Sequence, residues 1–153
     1  MRTSVACAII DAQVLVTGYL AGIMQILQPS GWTKPRGYSN GIAVAGRQIF
    51  VSGQVGWDAQ CRFVADTFAG QTAQTLRNIV AVLAEAGARP EHITRMTWYV
   101  TSKAEYLAAA KEIGAAYREI IGRHYPVMTA VQVVALMEDA AKVEIEVTAV
   151  VPD

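Results

Sequence analysis

Two cysteines, two histidines and no block of like charge leave this 153-residue chain without several kinds of chemistry. Cys7 and Cys61 lie far apart, so no disulfide framework is legible and a reducing, cytoplasmic setting is the expectation. His92 and His124, with two unspaced cysteines, make no metal-ligand pattern. No glycine-rich phosphate loop or dinucleotide fingerprint occurs, so no cofactor is expected. A histidine pair can cleave RNA by acid–base chemistry, but these two sit in separate loops without a basic groove. Thirteen basic side chains balance thirteen acidic ones, which gives no electrostatic footprint for nucleic acid or an anionic membrane. The early apolar run is interrupted at Asp11, too short for a membrane helix, and no small-residue cleavage site follows it. Residues 1–24 are therefore expected to be a poorly structured extension, with Met24 as the natural start of a domain over 25–153.

What is present is a chain 53% hydrophobic, with no internal repeat or low-complexity segment, enough for one domain with its own core. Gln25 to Gly37, rich in Pro, Gly, Ser and Trp, reads as loop. Ile42–Ala45 and Ile49–Ser52 around Gly46-Arg47 read as a hairpin. Asp66 or Thr67 caps a helix with Leu76, Ile79, Val80 and Leu83 on one face, ended by Gly87. Ile93 to Val100 is strand. Ser102-Lys103-Ala104-Glu105 is a capping box for a second helix burying Tyr106, Ala110, Ile113, Tyr117 and Ile120. Tyr125–Leu136 and Val143–Val150 read as two strands of an antiparallel hairpin, the second with Val143, Ile145, Val147 and Ala149 on one face and Glu144, Glu146 and Thr148 on the other. The order is β-β-α-β-α-β-β, an α+β domain. Two helices cover only one face of such a sheet, and the other, expected to carry Met, Trp, Gln and Glu, needs a partner.

Gly37-Tyr38-Ser39-Asn40-Gly41, Phe50-Val51-Ser52-Gly53-Gln54, Leu76 to Gly87, and Ala130-Val131-Gln132-Val133 followed by Val143-Glu144-Ile145-Glu146 stand in the order seen in the Rid (YjgF-like, reactive intermediate deaminase) family, also named endoribonuclease L-PSP. From Gln25 onward the chain resembles that family. The resemblance implies a chorismate-mutase-like fold, with two helices on one face of a mixed sheet, and a homotrimer with ligand sites in clefts between subunits. In active members an arginine grips the carboxylate of a 2-imino acid, and a glutamate places the water that releases ammonia. The glutamate corresponds to Glu144. The arginine position is Met128, the family's helix asparagine corresponds to Ala110, and a frequent cysteine corresponds to Ala130. Tyr38 and Ser52 match.

The methionine decides how much of the family's activity carries over. Guanidinium gives planar bidentate donors to a carboxylate, and losing such a partner costs ~2–5 kcal/mol of binding, whereas methionine offers only a soft apolar contact. Arg36, Arg123 and His124 are the candidate replacements, each more simply read as a solvated loop residue. Glu144 is the catalytic candidate, against a plain interface carboxylate. Tyr38, Ser52, Gly53, Met128 and Ala130 are the ligand-binding candidates, against loop packing and backbone shape. Ser52 lacks the flanking glycines of a nucleophile elbow. In a hairpin register Glu144 lies opposite Leu136, eight positions from Met128, too far at ~3.3 Å per residue to share one small site unless two chains contribute. Three functions remain: hydrolysis of an imine or enamine whose carboxylate is absent or held elsewhere, a trimeric metabolite-binding protein without turnover, and, least supported, a ribonuclease acting as a translation inhibitor.

Overall fold

The computed structural model describes residues 24–152. Residues 1–23 of the expected extension, Cys7 included, lie outside the described residues. Strand β1 (Gln25–Leu27) pairs antiparallel with β2 (Gly41–Ala43), Ile26 opposite Ile42. So the expected loop from Gln25 begins as strand, and β2 pairs there rather than in the expected hairpin with the next strand. That next strand, β3 (Arg47–Gln54), has β6 (Val143–Val151) as its neighbour, from Arg47 opposite Val151 onward. Gly46, at φ 144°, makes the entry possible, since its backbone lies against Val151 and Pro152 so closely that any Cβ would collide.

Helix α1 (Phe68–Glu85) starts where expected, with the Thr67 hydroxyl accepting from the Gly70 N–H at 3.1 Å. It stops at Gly87, whose φ of 66° suits glycine, with Ala88 N–H donating back to the Leu83 carbonyl. After a short 3-10 turn, β4 (Ile93–Val100) enters the sheet. The expected second helix is broken at Ala109 into α2 (Lys103–Ala108) and α3 (Ala110–Ile120). Ser102 Oγ accepts from Glu105 N–H at 3.2 Å, but the Glu105 carboxylate instead pairs with Lys142 Nζ at 2.7 Å. Ile113 and Tyr117 are buried, Tyr106 and Ile120 half-buried, and Ala110 exposed. Strand β5 (Val127–Gln132) then completes a sheet of order β3-β6-β4-β5.

This order overturns the expected C-terminal hairpin. β5 runs parallel to β4 at the sheet edge, while β6 inserts between β3 and β4, antiparallel to both. The α2–α3 segment supplies the long crossover that parallel strands require. The chain from Val133 to Lys142 then passes over the end of β4, where Val133 N–H donates to Val100 O at 2.9 Å and Thr101 N–H to Lys142 O at 3.0 Å. Gln71, buried in α1, secures this passage: its amide donates to Ala140 O at 2.8 Å and accepts from Lys142 N–H at 2.8 Å.

The helices lie on one face, as expected. Leu76, Ile79 and Leu83 from α1 meet Met96 and Trp98 of β4 and Val143, Ile145, Val147 and Ala149 of β6 in one core. Met96, Trp98 and Met128 thus belong to the helix face, not to the open one. The open face carries Glu144, Glu146 and Thr148, with Phe50 72% exposed. Among the described residues no helix is long and apolar enough to cross a membrane. Fully burying an aliphatic side chain contributes about 1.5–3 kcal/mol, and truncation adds a cavity term. Ile145→Ala, at a 0% exposed position on the central strand, is expected to lower stability by about 2–5 kcal/mol in a urea unfolding curve.

Candidate functional site

Two groups of candidate residues emerge, one on each side of the sheet. The first gathers where the Gly37–Asn40 loop meets the start of β5. Ser39 bridges to Val127 in parallel, its N–H donates to Pro126 O at 3.0 Å, and its hydroxyl donates to Tyr125 O at 2.6 Å. With Ser39 buried, these bonds lock the loop carrying Tyr38 beside the strand carrying Met128. Met128 is opposite Met96, so it points to the helix side and packs half-buried against the core.

Two cavities flank this junction, and Gly37 and Tyr125 border both. The larger, about 810 Å³, is lined by Trp32, Lys34, Tyr38 and Ser39 together with Arg123 and His124. The smaller, about 320 Å³, is lined by Trp98, Ala110, Gly114, Arg118 and Met128. Of the expected replacement cations, Arg36 is exposed and borders neither. His124 is committed elsewhere: its Nε2 stands 2.6 Å from the Ile93 carbonyl, which can only accept, so that nitrogen carries the hydrogen. Its own carbonyl accepts from the Tyr117 hydroxyl at 2.8 Å. Burial pushes the Tyr117 phenol pKa well up, and its ring stacks on Tyr125 at 5.9 Å. His92 is equally occupied, Nδ1 accepting from Arg89 N–H at 3.0 Å.

The second group lies on the open face. Glu144 is opposite Tyr99 of β4, not Leu136, and its carboxylate lies over Gly53, where any Cβ would overlap it. The β3–β6 register shifts between Val51 and Gln54, and it is in this irregular stretch that Ser52 and Gly53 occur. Ser52, exposed, borders a hollow of about 340 Å³ with Phe50, Arg95 and Glu146. The Tyr99 hydroxyl donates to Glu146 Oε1 at 3.3 Å. Its pKa is raised, first by desolvation and then by the Glu146 carboxylate beside it.

The structure therefore joins Ser52, Gly53 and Glu144 on the open face, and Tyr38 and Met128 at the loop–β5 junction. Ala130, opposite Trp98, is exposed on β5. The two groups do not meet within one chain, because Met128 and Glu144 sit on opposite faces and β4 separates their strands. Sequence reasoning missed Arg118. The available signal was its spacing, one helical turn after Gly114, which puts both on one face of α3.

The sequence profile of the endoribonuclease L-PSP family matches residues 33–151. A RutC family protein from Aquifex aeolicus is 32% identical over 115 residues, 74% of this chain and 87% of that protein. A 2-iminobutanoate/2-iminopropanoate deaminase from Salmonella typhimurium is 28% identical over 116 residues, 74% of this chain and 86% of that protein. The crystal structure of the Rid-family protein YyfB from Yersinia pestis superposes with a TM-score of 0.72 at 31% identity, covering 84% of this chain and 98% of that one.

Two expectations follow from the open face. Gly53→Ala is expected to displace the Glu144 carboxylate, visible in a crystal structure of the variant, at a stability cost below about 1 kcal/mol, because the group in the way is the end of a flexible side chain. Glu146→Gln removes the negative charge next to Tyr99, so the phenol should ionise at lower pH than in the parent. An ultraviolet difference titration with Tyr99→Phe as reference checks this, and an unchanged midpoint contradicts it.

Proposed function

Since the chain belongs to the Rid (YjgF-like, endoribonuclease L-PSP) family, we propose that it acts as a homotrimer whose clefts between subunits hold a small metabolite, with Glu144 guiding water onto an imine or enamine carbon. Water adds its oxygen to the C=N carbon and gives a proton to Glu144. Glu144 passes that proton to the nitrogen to give a carbinolamine. It then relays the hydroxyl proton to the same nitrogen as the C–N bond breaks, leaving a carbonyl and ammonia; an enamine enters the same route after its tautomerisation to the imine. The observation that carries this reading is the separation of Met128 from Glu144 on opposite faces of one sheet, together with the seat that Gly53 leaves for the carboxylate. A second copy laid against the open face is the simplest way to complete such a site, and would also cover Phe50.

Met128 argues against a standard 2-iminopropanoate deaminase. It puts no donor at the strand position, so an imine substrate has its carboxylate absent or held by another residue. The same methionine favours a second reading, a metabolite-binding trimer without turnover. A formal charge of zero argues against a ribonuclease.

The test is ammonia release from 2-iminopropanoate and other imines generated in place, run with the parent, Met128→Arg and Glu144→Ala. A parent inactive on 2-iminopropanoate that gains activity in Met128→Arg is the expected outcome. An active parent abolished by Glu144→Ala would keep the glutamate's role and refute the argument from Met128. Sedimentation velocity checks the trimer, and a monomer at micromolar concentration would remove the shared cleft.

A further inference from the structure

We propose that the cavity of about 810 Å³ beside the Tyr38 loop binds a nucleoside monophosphate, with Trp32 stacking on the base and Lys34 and Arg123 holding the phosphate. The cavity borders neither Met128 nor Glu144, so this site is separate from the imine reading and goes beyond it.

Trp32 is 65% exposed and Tyr38 44%, so neither ring is spent on the core, and both border this one cavity. The backbone beneath Trp32 is nevertheless fixed. Its N–H donates to Pro29 O at 3.2 Å, and its carbonyl accepts from the Gln28 side-chain amide at 3.1 Å. Gln28 Oε1 in turn accepts from the Asn40 side-chain amide at 2.8 Å, which ties the turn carrying Trp32 to the segment carrying Tyr38. An exposed aromatic ring on a tethered backbone is a preorganised platform, since most of the cost of ordering it is met before a ligand arrives.

The charged side chains around the cavity are of one sign. Lys34 and Arg123 border it and no carboxylate does, and among the described residues neither cation is in an ion pair. Like charges lining a cleft concentrate a field that draws an anion, even in a chain of zero net charge. Two cations suit a phosphate monoester, which carries about −1.5 to −2 charges on three acceptor oxygens, better than they suit a single carboxylate. Arginine grips two such oxygens at once and lysine supplies a point charge. The volume lies within the roughly 300–1,000 Å³ of pockets that hold drug-sized ligands, which leaves room for a base and a sugar. Every base has a π-face, so Trp32 takes the ring without reading its edge.

The test is calorimetric binding of AMP, adenosine and inorganic phosphate to the full chain. The parent should bind AMP at least about ten-fold more tightly than either of the other two. The double variant Lys34→Gln/Arg123→Gln should bring AMP down to the affinity of adenosine and leave adenosine itself unchanged. Trp32→Leu should weaken AMP and adenosine alike by at least about five-fold and leave inorganic phosphate unaffected. All three positions are exposed, so melting curves matching the parent's exclude misfolding as the cause. No binding of AMP by the parent, equal affinity for AMP and adenosine, equal affinity for AMP and inorganic phosphate, or AMP affinity left intact by either variant would overturn the proposal. Imine turnover is read separately, as ammonia. AMP binding through these residues in a protein inactive on every imine would therefore uphold this site, and imine turnover in a protein that ignores AMP would remove it and leave the catalytic reading standing.

Discussion

Strand β6 is the constraint on which the rest of the structure depends. Lying between β3 and β4 and antiparallel to both, it is paired on both edges over most of its length, and the pairing fixes which face its side chains take. Its apolar residues complete the core under α1, so the alternation of the chain sends Glu144, Glu146 and Thr148 to the open side. A slip of one residue would bury two carboxylates and expose the core, which is why the register is strongly held. The buried amide of Gln71 secures the approach to β6, and half of the candidate site is positioned as a result.

The other half is positioned by different means. Tyr38 is on a loop, and loops need an anchor before they can orient a side chain. Here the anchor is Ser39, whose two bonds reach the backbone immediately before β5. Two short stretches far apart in sequence thus become one junction with a cavity on either side. Because β5 is an edge strand parallel to β4, this junction opens toward solvent and toward whatever covers the sheet. The candidate site is consequently divided: a carboxylate on one face, an aromatic and apolar cleft on the other.

The cleft also shows how one missing side chain changes the meaning of its neighbours. With methionine at 128, the strand contributes only polarizable apolar surface. With glycine at 114, α3 leaves space that Arg118 enters. A strand position without a charge and a helix position with one border the same volume, so loss of a cation at one point of a cavity does not make the cavity neutral.

Much of the architecture was legible in the residues. Thr67, Gly87 and Ser102 marked helix ends because caps satisfy backbone groups locally, and the alternation in β6 marked its faces because the pleat has period two. Strand partners were not legible: β5 and β6 looked like a hairpin because they are consecutive and β-branched, and nothing local in them reports that β4 lies between. β1 was hidden in a segment rich in loop residues, and Arg118 was hidden because a charge on a helix surface looks solvated until the wall facing it is known. What the sequence by itself determined is the family, the helix ends and the two faces of the last strand, all consequences of interactions spanning a few residues. Only the tertiary structure decided which strands are neighbours, which cavity each candidate borders and which cation stands beside Met128, because these depend on contacts between segments distant along the chain.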